Sequence, residues 1–300
     1  MPTIYVDSPL SDEERRQRLY GGDMFVYSPR KSSSEFCALA REMSEQAFAP
    51  HDPRVAQDSL PAVEYAKILA DLKPRFIHDP RAKKLISGLL ADVGCDVERT
   101  YFDVPRLRTM AHGDYMNVGL ALQFHPHRDT WFSAPYAQLN WWLPVYEVEP
   151  ENSMAFHPKY FDQPIKNSSA DYDYEEWNRT GRAQAATQIR KETRKQPKAE
   201  ETLELAPDVR VVAPVAGLLI FSGAQMHSTV PNTTRRTRFS IDFRTVNIDD
   251  LAEGLGAPNV DAACSGTTLR DFLRADDLST LRDELVVMYG DGHGMSVAGT

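Results

Sequence analysis

The chain has 300 residues, of which 42% are hydrophobic and 26% charged, so it can bury a full-sized core and does not have the composition of a disordered protein. Lys and Arg total 34 against 43 Asp and Glu, and the net charge of −9 argues against nucleic acid as a partner, because nucleic-acid-binding proteins normally carry a basic excess. The longest apolar stretch, residues 211–221, contains Pro214 and Gly217 and is shorter than the ~20 residues of a membrane-spanning helix. We therefore expect no membrane association.

The N-terminal residues and the cysteines predict a cytoplasmic protein. The chain becomes acidic at Asp12 before any apolar segment appears, which argues against a secretory signal. The three cysteines, Cys37, Cys95 and Cys264, are too far apart in the sequence for a zinc knuckle or a redox motif. We predict that they are reduced, buried thiols.

Four helices are predicted in the first hundred residues. Capping-box spacings predict the first two helix starts, at Ser11-x-x-Glu14 and Ser32-x-x-Glu35, because each side chain then satisfies a backbone donor. A third helix is predicted after Pro61, and a fourth over residues 79–94, with a proline at its first position and a glycine at its end. This part of the chain is predicted to be mainly α-helical.

From Tyr101 onward the sequence contains short β-rich runs separated by turn residues, the pattern of a sandwich or barrel. We predict strands within five segments: TYFDVPRLRTM, NVGLALQFH, AQLNWWLPVY, VRVVAPVAGLLIFS and RTRFSIDFRTVNI. A polar insertion, residues 162–208, separates two of these strands and has helical propensity. After Asp249 the chain is loop-rich, and a short helix closed by Gly290 is predicted near its end.

Two histidines and an aspartate alternate in the segment QFHPHRDTWF. On a β-strand, His125, His127 and Asp129 would point to one face, where they could bind a metal. Two imidazoles and one carboxylate are the ligands of mononuclear iron(II) oxygenases, and His127-x-Asp129 supplies two of the three. Alone, so short a motif is more often a pair of polar residues at a strand end. A third ligand is required.

The candidate third ligand is His227, which follows the apolar strand GLLIFS. Eleven positions later comes Arg238, and strand alternation places Arg238, Asp242 and Arg244 on one face. An arginine that faces inward near a metal needs an anion. Because guanidinium groups pair bidentately with carboxylates, a dicarboxylate that also binds the metal is the natural partner of Arg238.

Together these residues resemble the iron(II)/2-oxoglutarate-dependent dioxygenases, in particular the phytanoyl-CoA dioxygenase-like family, over residues 100–246. His127-x-Asp129 and His227 are similar to the family's iron ligands, and Arg238 is similar to the arginine that binds the distal carboxylate of 2-oxoglutarate. Thr229 occupies the place of a hydroxyl that often contacts the same carboxylate. Three further matches are Asn232, Trp142 and the turn Pro150-Glu151-Asn152-Ser153.

The resemblance implies an α+β fold with a double-stranded β-helix core, also called a jelly roll or cupin-like barrel. N-terminal helices would pack outside this core, and the helical insertion would lie between two strands. We expect a single domain, residues 1–300. Its expected parts are a mainly helical segment (1–100), the jelly-roll core (101–250) with the insertion (162–208), and a C-terminal extension (251–300).

The resemblance also implies an oxidoreductase that uses Fe(II), 2-oxoglutarate and O2, with ascorbate as a supporting reductant. The expected reaction is hydroxylation of an unactivated C–H bond of a small polar metabolite, with release of succinate and CO2. Asp129 favours hydroxylation, because halogenating relatives have a small residue in its place. Desaturation, cyclisation or epoxidation at the same iron site stay open, as does a non-catalytic, cupin-like metal-binding protein. The sequence leaves the substrate and the oligomeric state open.

Other residues are assigned around this site from strand alternation and position. Asn140 is predicted to face the cavity and to contact the cosubstrate, and Trp131, Arg106 and Gln123 are candidate substrate contacts. Core packing is the favoured alternative for Trp131, and a surface position stays open for Arg106. His125 is expected beside the metal ligands. The segment FHPKYF departs from the Pro-Gly-Ser-His turn of many relatives, which leaves the role of its His157 open. The insertion, residues 162–208, is expected to close over the active site.

Overall fold

The computed structural model describes residues 2–116, 125–181 and 196–290. Seven α-helices lie in these ranges: α1 (Asp12–Tyr20), α2 (Lys31–Phe48), α3 (Ala62–His78), α4 (Pro80–Asp92), α5 (Tyr174–Glu176), α6 (Ile248–Glu253) and α7 (Asp283–Gly290). None of the helices in the described ranges is long and apolar enough to cross a membrane. Helix α5 continues directly into a π-helical turn, Trp177–Gly181.

Eleven strands in the same ranges form two sheets, so the fold is mixed α and β. The strands are β1 (Ile4–Val6), β2 (Met24–Tyr27), β3 (Thr100–Phe102), β4 (Arg106–Met110), β5 (Leu139–Pro144), β6 (Met154–Phe156), β7 (Val209–Arg210), β8 (Leu218–Ser222), β9 (His227–Thr229), β10 (Arg238–Asn247) and β11 (Leu273–Arg274). The larger sheet has the order β1-β2-β8-β5-β10-β3-β11, with β4 also paired to β10. The smaller sheet has the order β7-β6-β9.

Strand β10 lies at the centre of the larger sheet, and its two faces have different surroundings. Phe239, Ile241 and Phe243 are fully buried in the main hydrophobic core. The helices pack on this side, where the ring of Phe48, at the end of α2, lies 6.2 Å edge-on from that of Phe239. The alternate residues of β10 point the other way, as the period of two of a strand requires.

The smaller sheet packs against this second face. The ring of Phe156 on β6 lies 4.9 Å edge-on from the ring of Phe221 on β8, and both belong to a second apolar cluster with Trp142 of β5. A cavity is lined by residues of both sheets. The polar face of β10 is therefore turned towards the space beside the smaller sheet.

The predicted helices are present, with one different start. Helix α1 has the predicted capping box at Ser11, and α3 and α4 begin after Pro61 and Asp79. Helix α2 begins at Lys31 rather than after Ser32. The Ser33 hydroxyl accepts from the backbone N–H of Arg30 at 2.8 Å, which makes Arg30 the capping residue.

Several strand predictions need correction. The helical N-terminal part also supplies β1 and β2, and β2 pairs with β8 in the larger sheet. The segment VRVVAPVAGLLIFS forms two strands in different sheets, since β7 pairs with β6 and β8 pairs with β5. The loop-rich C-terminal region contributes β11, which pairs with β3. Most of the predicted strand NVGLALQFH lies outside the described residues.

Candidate metal and cosubstrate site

Two backbone contacts bring the candidate metal ligands together. His127 and His227 form an antiparallel bridge, in which each backbone N–H donates to the other's carbonyl at 3.0 Å. The Asp129 N–H donates to the carbonyl of Gly223, in the turn between β8 and β9, at 2.9 Å. Asp129 and His227 are 98 positions apart in the sequence, and these main-chain hydrogen bonds bring their side chains together.

His125, His127 and Asp129 do not lie on one continuous strand, contrary to the prediction. Asp129 begins a short 3-10 helix, Asp129–Phe132, so the three side chains do not share one strand face. The side chain of His125 is exposed. Its backbone carbonyl, however, lies 2.7 Å from Nδ1 of His127. His125 therefore acts beside the ligand through its main chain.

The donor atoms fit a transition-metal ion. One ligand atom from each of His127, Asp129 and His227 lies within 4.8 Å of the other two. Asp129 Oδ1 is 3.5 Å from His127 Nε2 and 3.9 Å from His227 Nε2. Nitrogen and oxygen donors bind first-row metals at about 2.0–2.2 Å, so two donors on one ion lie roughly 3–4 Å apart. Small side-chain adjustments would place all three atoms on a common ion.

The other ring nitrogens are held by backbone carbonyls, which orients both imidazoles. His127 Nδ1 lies 2.7 Å from the carbonyl of His125, and His227 Nδ1 lies 3.0 Å from the carbonyl of Gln225. A carbonyl accepts only, so each Nδ1 carries the proton and each Nε2 is left as a lone-pair donor. This is the arrangement that metal-binding histidines usually have.

The charges of the three groups also suit a cation. Burial, together with the neighbouring His127, lowers the pKa of His227 to about 4, so its imidazole is neutral at pH 7. Burial alone would raise the pKa of Asp129, but the adjacent side chains of His127 and His227 hold it below its usual range. Neutral imidazoles and an ionised carboxylate are the protonation states in which these residues bind metals.

Two amides fix the second oxygen of the Asp129 carboxylate. Asn140 Nδ2 donates to Asp129 Oδ2 at 2.9 Å, and Gln138 Nε2 donates to the same oxygen at 3.1 Å and to Asn140 Oδ1 at 3.0 Å. Asn140 faces the cavity as predicted. Its amide, however, is directed at a metal-ligand candidate, so the structure places it as a residue that positions Asp129. Gln138, two residues earlier and just before β5, was not predicted as a site residue.

The three ligand candidates line a cavity of about 640 Å³, and Arg238 lines the same cavity. Arg238 is buried, and its Nη1 donates to the carbonyls of Asn152 and Ser153 at 2.9 and 3.1 Å. No acceptor among the described residues is within hydrogen-bond reach of its Nε. Burial lowers the pKa of Arg238 to about 10, partly opposed by Asp242, so the group is charged at neutral pH. A buried cation with an unsatisfied donor requires an anion.

Residues named with the family resemblance surround Arg238. Its guanidinium lies 5.7 Å from the ring centroid of Trp142, within cation–π range. Thr229, two residues beyond His227 on β9, lines the same cavity. Asn232 donates to the backbone carbonyls of Met110 and Arg236 at 3.0 and 2.7 Å, which fixes the turn that leads into β10. The side chain of Asn232 therefore supports the position of Arg238.

Of the candidate substrate contacts, Arg106 lines the cavity and Trp131 does not. Trp131 is fully buried, and its Nε1 donates to Asp261 Oδ1 at 2.7 Å, so it is a packing residue and does not line the cavity. The 3-10 helix turns Trp131 away, and its neighbour Phe132 lines the cavity instead. Arg106 lines the cavity and is paired with Asp103 at 2.6 Å. Gln123 lies outside the described residues.

Parts of the insertion and of α3 line the cavity. The individual residues that do so were not predicted from the sequence. From the insertion come Tyr172, Tyr174, Trp177 and Gln196. Residues 182–195, at the centre of the expected lid, lie outside the described residues.

His157 is buried, with Nε2 3.0 Å from the hydroxyl of Ser228 and Nδ1 3.2 Å from the carbonyl of Leu205. It joins β9 to the end of the insertion.

Comparisons with known proteins give structural neighbours only. No family model matches the chain, and no curated protein matches it. Among solved structures, the epimerase SnoN, in complex with Fe3+, alpha ketoglutarate and nogalamycin RO, is 15% identical with a TM-score of 0.41, over 79% of this chain and 85% of that one. EvdO2 from Micromonospora carbonacea var. aurantiaca, complexed with 2-oxoglutarate, is 13% identical with a TM-score of 0.45, over 79% and 91% of the two chains.

A third neighbour, the non-heme monooxygenase ThoJ, is 12% identical with a TM-score of 0.44, over 89% of this chain and 86% of that one.

Proposed function

We propose that the protein is a non-haem iron(II)/2-oxoglutarate-dependent oxygenase. One observation carries the proposal: His127, Asp129 and His227 present two imidazole nitrogens and a carboxylate oxygen within 4.8 Å of one another, in a cavity that also contains the buried, incompletely bonded Arg238. Two histidines and one carboxylate leave several positions of an iron ion open for a chelating cosubstrate and oxygen. A cation at a distance from the metal then suits a chelator with a second carboxylate.

The residues of this chain would hold the two reactants as follows. His127, Asp129 and His227 bind the metal, and Asn140 and Gln138 keep Asp129 in place. Arg238 binds the distal carboxylate of 2-oxoglutarate, with the Thr229 hydroxyl beside it. The burial of Arg238 strengthens this ion pair, because water does not screen it.

We infer that the reaction is hydroxylation of a C–H bond of a small molecule. Bound iron(II) would supply the oxidising chemistry, in which O2 and 2-oxoglutarate yield succinate, CO2 and one oxygen atom inserted into the substrate. The cavity walls orient the substrate and keep water away from the metal. Phe132 supports this role, since its ring lies 5.4 Å edge-on from His127 and makes the cavity wall next to the metal apolar.

The fold supports the proposal in its general layout. We infer that the two sheets are the halves of a double-stranded β-helix, because residues of both sheets, the candidate ligands among them, line one cavity. We also propose that residues 1–300 form a single domain. The N-terminal helices then serve to cover the outer face of the larger sheet.

Succinate release tests the proposal directly. Purified protein with Fe(II), ascorbate, O2 and 2-oxoglutarate should form succinate and CO2, and a screen of metabolite pools should contain a substrate that raises the rate. The His127→Ala and Asp129→Ala variants should release none. If the wild-type protein binds Fe(II) but neither binds nor decarboxylates 2-oxoglutarate, the alternative of a metal-binding protein without turnover is correct.

A further inference from the structure

The turn between β8 and β9 carries hydrogen bonds that orient two of the candidate metal ligands. The carbonyl of Gly223 accepts from the backbone N–H of Asp129 at 2.9 Å, and the carbonyl of Gln225 lies 3.0 Å from Nδ1 of His227. We call residues 223–226 the ligand turn. Because a shift of either carbonyl would move a metal donor atom, whatever holds the ligand turn in place also supports the geometry of the metal site.

The side chain of Gln225 ties the ligand turn to a distant part of the chain. It is fully buried, and its Nε2 donates to the backbone carbonyl of Gly22. Gly22 lies between α1 and β2, 203 residues earlier in the sequence. Among the described residues, this carbonyl is the only hydrogen-bond partner of the Gln225 amide, whose Oε1 has none.

The register of the larger sheet explains why Gly22 lies beside the ligand turn. Strand β2 pairs antiparallel with β8, and Phe25 is opposite Ile220. Continuing this register by three residues brings Gly22 next to Gly223, where the ligand turn begins. The start of the chain and the metal ligands are therefore neighbours in space, although neither Gly22 nor Gln225 lines the cavity.

Gly22 has a conformation and surroundings that only glycine suits. Its φ is +92°, in the region that residues with a side chain rarely adopt. A Cβ at this position would lie 3.0 Å from the ring of Phe161. Gly22 thus contacts both the Phe161 ring and the Gln225 amide, and a larger residue would displace the carbonyl that accepts from Gln225.

The contact between Gln225 and Gly22 offers direction more than stability. Burial removes water from both ends of the Gln225 amide, and among the described residues only the Nε2 end regains a hydrogen bond. A methionine of similar length would fill the same space without burying an amide. What the amide adds is a directional link between the ligand turn and the start of the chain.

We propose that Gln225 and Gly22 are positioning residues of the metal site, through which the start of the chain fixes the orientation of His227. The Gln225 side chain is anchored on Gly22, and the Gln225 carbonyl then holds the His227 imidazole with its Nε2 left for the metal. This inference rests on the proposed function, since it assigns a role in binding the proposed iron ion.

Metal binding by two matched variants tests the role of Gln225. Gln225→Met removes the donor to Gly22, whereas Tyr289→Phe removes a buried donor to the carbonyl of Leu251, at 3.0 Å and outside the cavity. In anaerobic calorimetry with Mn(II), Gln225→Met should bind roughly tenfold more weakly than wild type, as outer-shell partners of metal ligands do. Tyr289→Phe should bind as wild type does, even if denaturation shows that it is the less stable variant.

The visible spectrum of bound Co(II) gives a second readout, which a general loss of stability would not change. The absorption bands of Co(II) depend on the geometry of its ligands. At saturating Co(II), Gln225→Met should therefore shift these bands or change their intensity. Tyr289→Phe should give the wild-type spectrum.

Two alanine variants test the role of Gly22. Gly22→Ala places a Cβ against the Phe161 ring at an unfavourable φ, so it should displace the Gly22 carbonyl and weaken Mn(II) binding several-fold. The neighbouring Gly21 has a φ of −81°, and a Cβ there would come no closer than 3.4 Å to another atom. Gly21→Ala should therefore bind Mn(II) with wild-type affinity.

The inference would be overturned by wild-type Mn(II) affinity and an unchanged Co(II) spectrum in Gln225→Met. An equal loss of Mn(II) affinity in Tyr289→Phe would also overturn it, because the effect would then be one of stability alone. Equal Mn(II) binding by Gly22→Ala and Gly21→Ala would overturn the role given to Gly22. Failure of the wild-type protein to bind Mn(II) would instead contradict the proposed function.

Discussion

Arg128 and Asp261 form an ion pair that is almost fully buried, with 2% and 5% of the two side chains exposed. Arg128 stands between the ligand candidates His127 and Asp129 in the sequence. Its Nη1 donates to the carbonyl of Ala224 at 2.8 Å, in the turn that precedes His227. The buried pair therefore ties the segment with two metal ligands to the segment that carries the third.

The pair also joins the site to the insertion and to the C-terminal region. Arg128 Nη2 donates to the backbone carbonyls of Tyr160 and of Gln163, the latter at 2.9 Å. Asp261 accepts from the Trp131 indole at 2.7 Å and from the backbone N–H of Ile165 at 3.0 Å. Removing either partner leaves a charge buried without its counterion.

The first prediction concerns this pair. Asp261→Ala should lower the free energy of unfolding by about 3–5 kcal/mol, the usual cost of removing one partner of a buried ion pair. Chemical denaturation followed by tryptophan fluorescence measures the change. Asp71→Ala, which breaks an exposed pair with Arg75 on α3, should change stability by at most about 0.5 kcal/mol. Equal effects of the two variants would show that the buried pair does not support the site.

The second prediction concerns the metal. His227→Ala removes one of three ligands, so anaerobic calorimetry should show that Fe(II) affinity is lost or falls by orders of magnitude. The circular dichroism spectrum should stay that of wild type, because the backbone bridge between His127 and His227 does not need the imidazole. His51→Ala, outside the cavity, is the matched control. Unchanged Fe(II) affinity in His227→Ala would rule out this ligand set.

The third prediction concerns the cosubstrate. Arg238→Gln leaves the distal carboxylate of 2-oxoglutarate without its charged partner, which typically costs ~2–5 kcal/mol. The apparent KM for 2-oxoglutarate should therefore rise by more than tenfold, with a much smaller effect on Fe(II) binding. Arg236→Gln, an exposed arginine two residues earlier, should behave as wild type. If Arg244→Gln instead raised this KM most, Arg244 would be the carboxylate-binding residue.

The fourth prediction separates a positioning role from a cosubstrate contact at Asn140. Asn140→Ala removes the 2.9 Å hydrogen bond to Asp129 but leaves Gln138 in place. Outer-shell hydrogen bonds of this kind typically change metal affinity by about 10–100-fold, so Fe(II) binding should weaken by about tenfold. The KM for 2-oxoglutarate at saturating Fe(II) should not change. A raised KM with normal Fe(II) affinity would favour the role first predicted from the sequence.

The fifth prediction concerns cysteine reactivity. Burial raises the pKa of Cys37 to about 12, and the side chain is fully buried. At pH 8, native Cys37 should be alkylated about a thousandfold more slowly than in denatured protein, where a thiol has a pKa near 8.5. Folding favours the protonated thiol, so this contribution to stability is complete below about pH 8.5 and declines as the pH rises towards 12. Rapid native labelling of Cys37, measured by mass spectrometry, would contradict its burial.

Features set by local chemistry could be predicted from the sequence. The capping box at Ser11 and the proline start of α4 depend only on neighbouring residues, and both are present. The alternation along β10 depends on the period of two of a strand, which places Arg238 and Asp242 on the cavity face. Residue type alone was enough to select the three ligand candidates. The geometry expected for them was wrong, because Asp129 begins a 3-10 helix and does not lie on a strand.

Features set by distant partners could not be predicted. Strand β2 has four residues, and its partner β8 begins 191 positions after the end of β2, so no local pattern shows that they pair. The candidate substrate contact at Trp131 assumes a strand, whereas the 3-10 turn buries this side chain against Asp261, in agreement with the packing alternative. Arg128 gave no local signal either, because Asp261 lies 133 residues away and its other acceptors are backbone carbonyls.

The two faces of strand β10 should tolerate different substitutions. Its odd-numbered positions, such as Phe239 and Ile241, contact the helical core, while even-numbered positions, such as Asp242 and Arg244, face the cavity. Substitutions at even positions can therefore alter ligand preference without remodelling the core. A one-residue deletion in the turn before the strand, residues 230–237, would instead exchange the two faces and place charges among the aromatic rings. Descendants of this chain should therefore accept single substitutions along β10 much more readily than deletions in the turn before it.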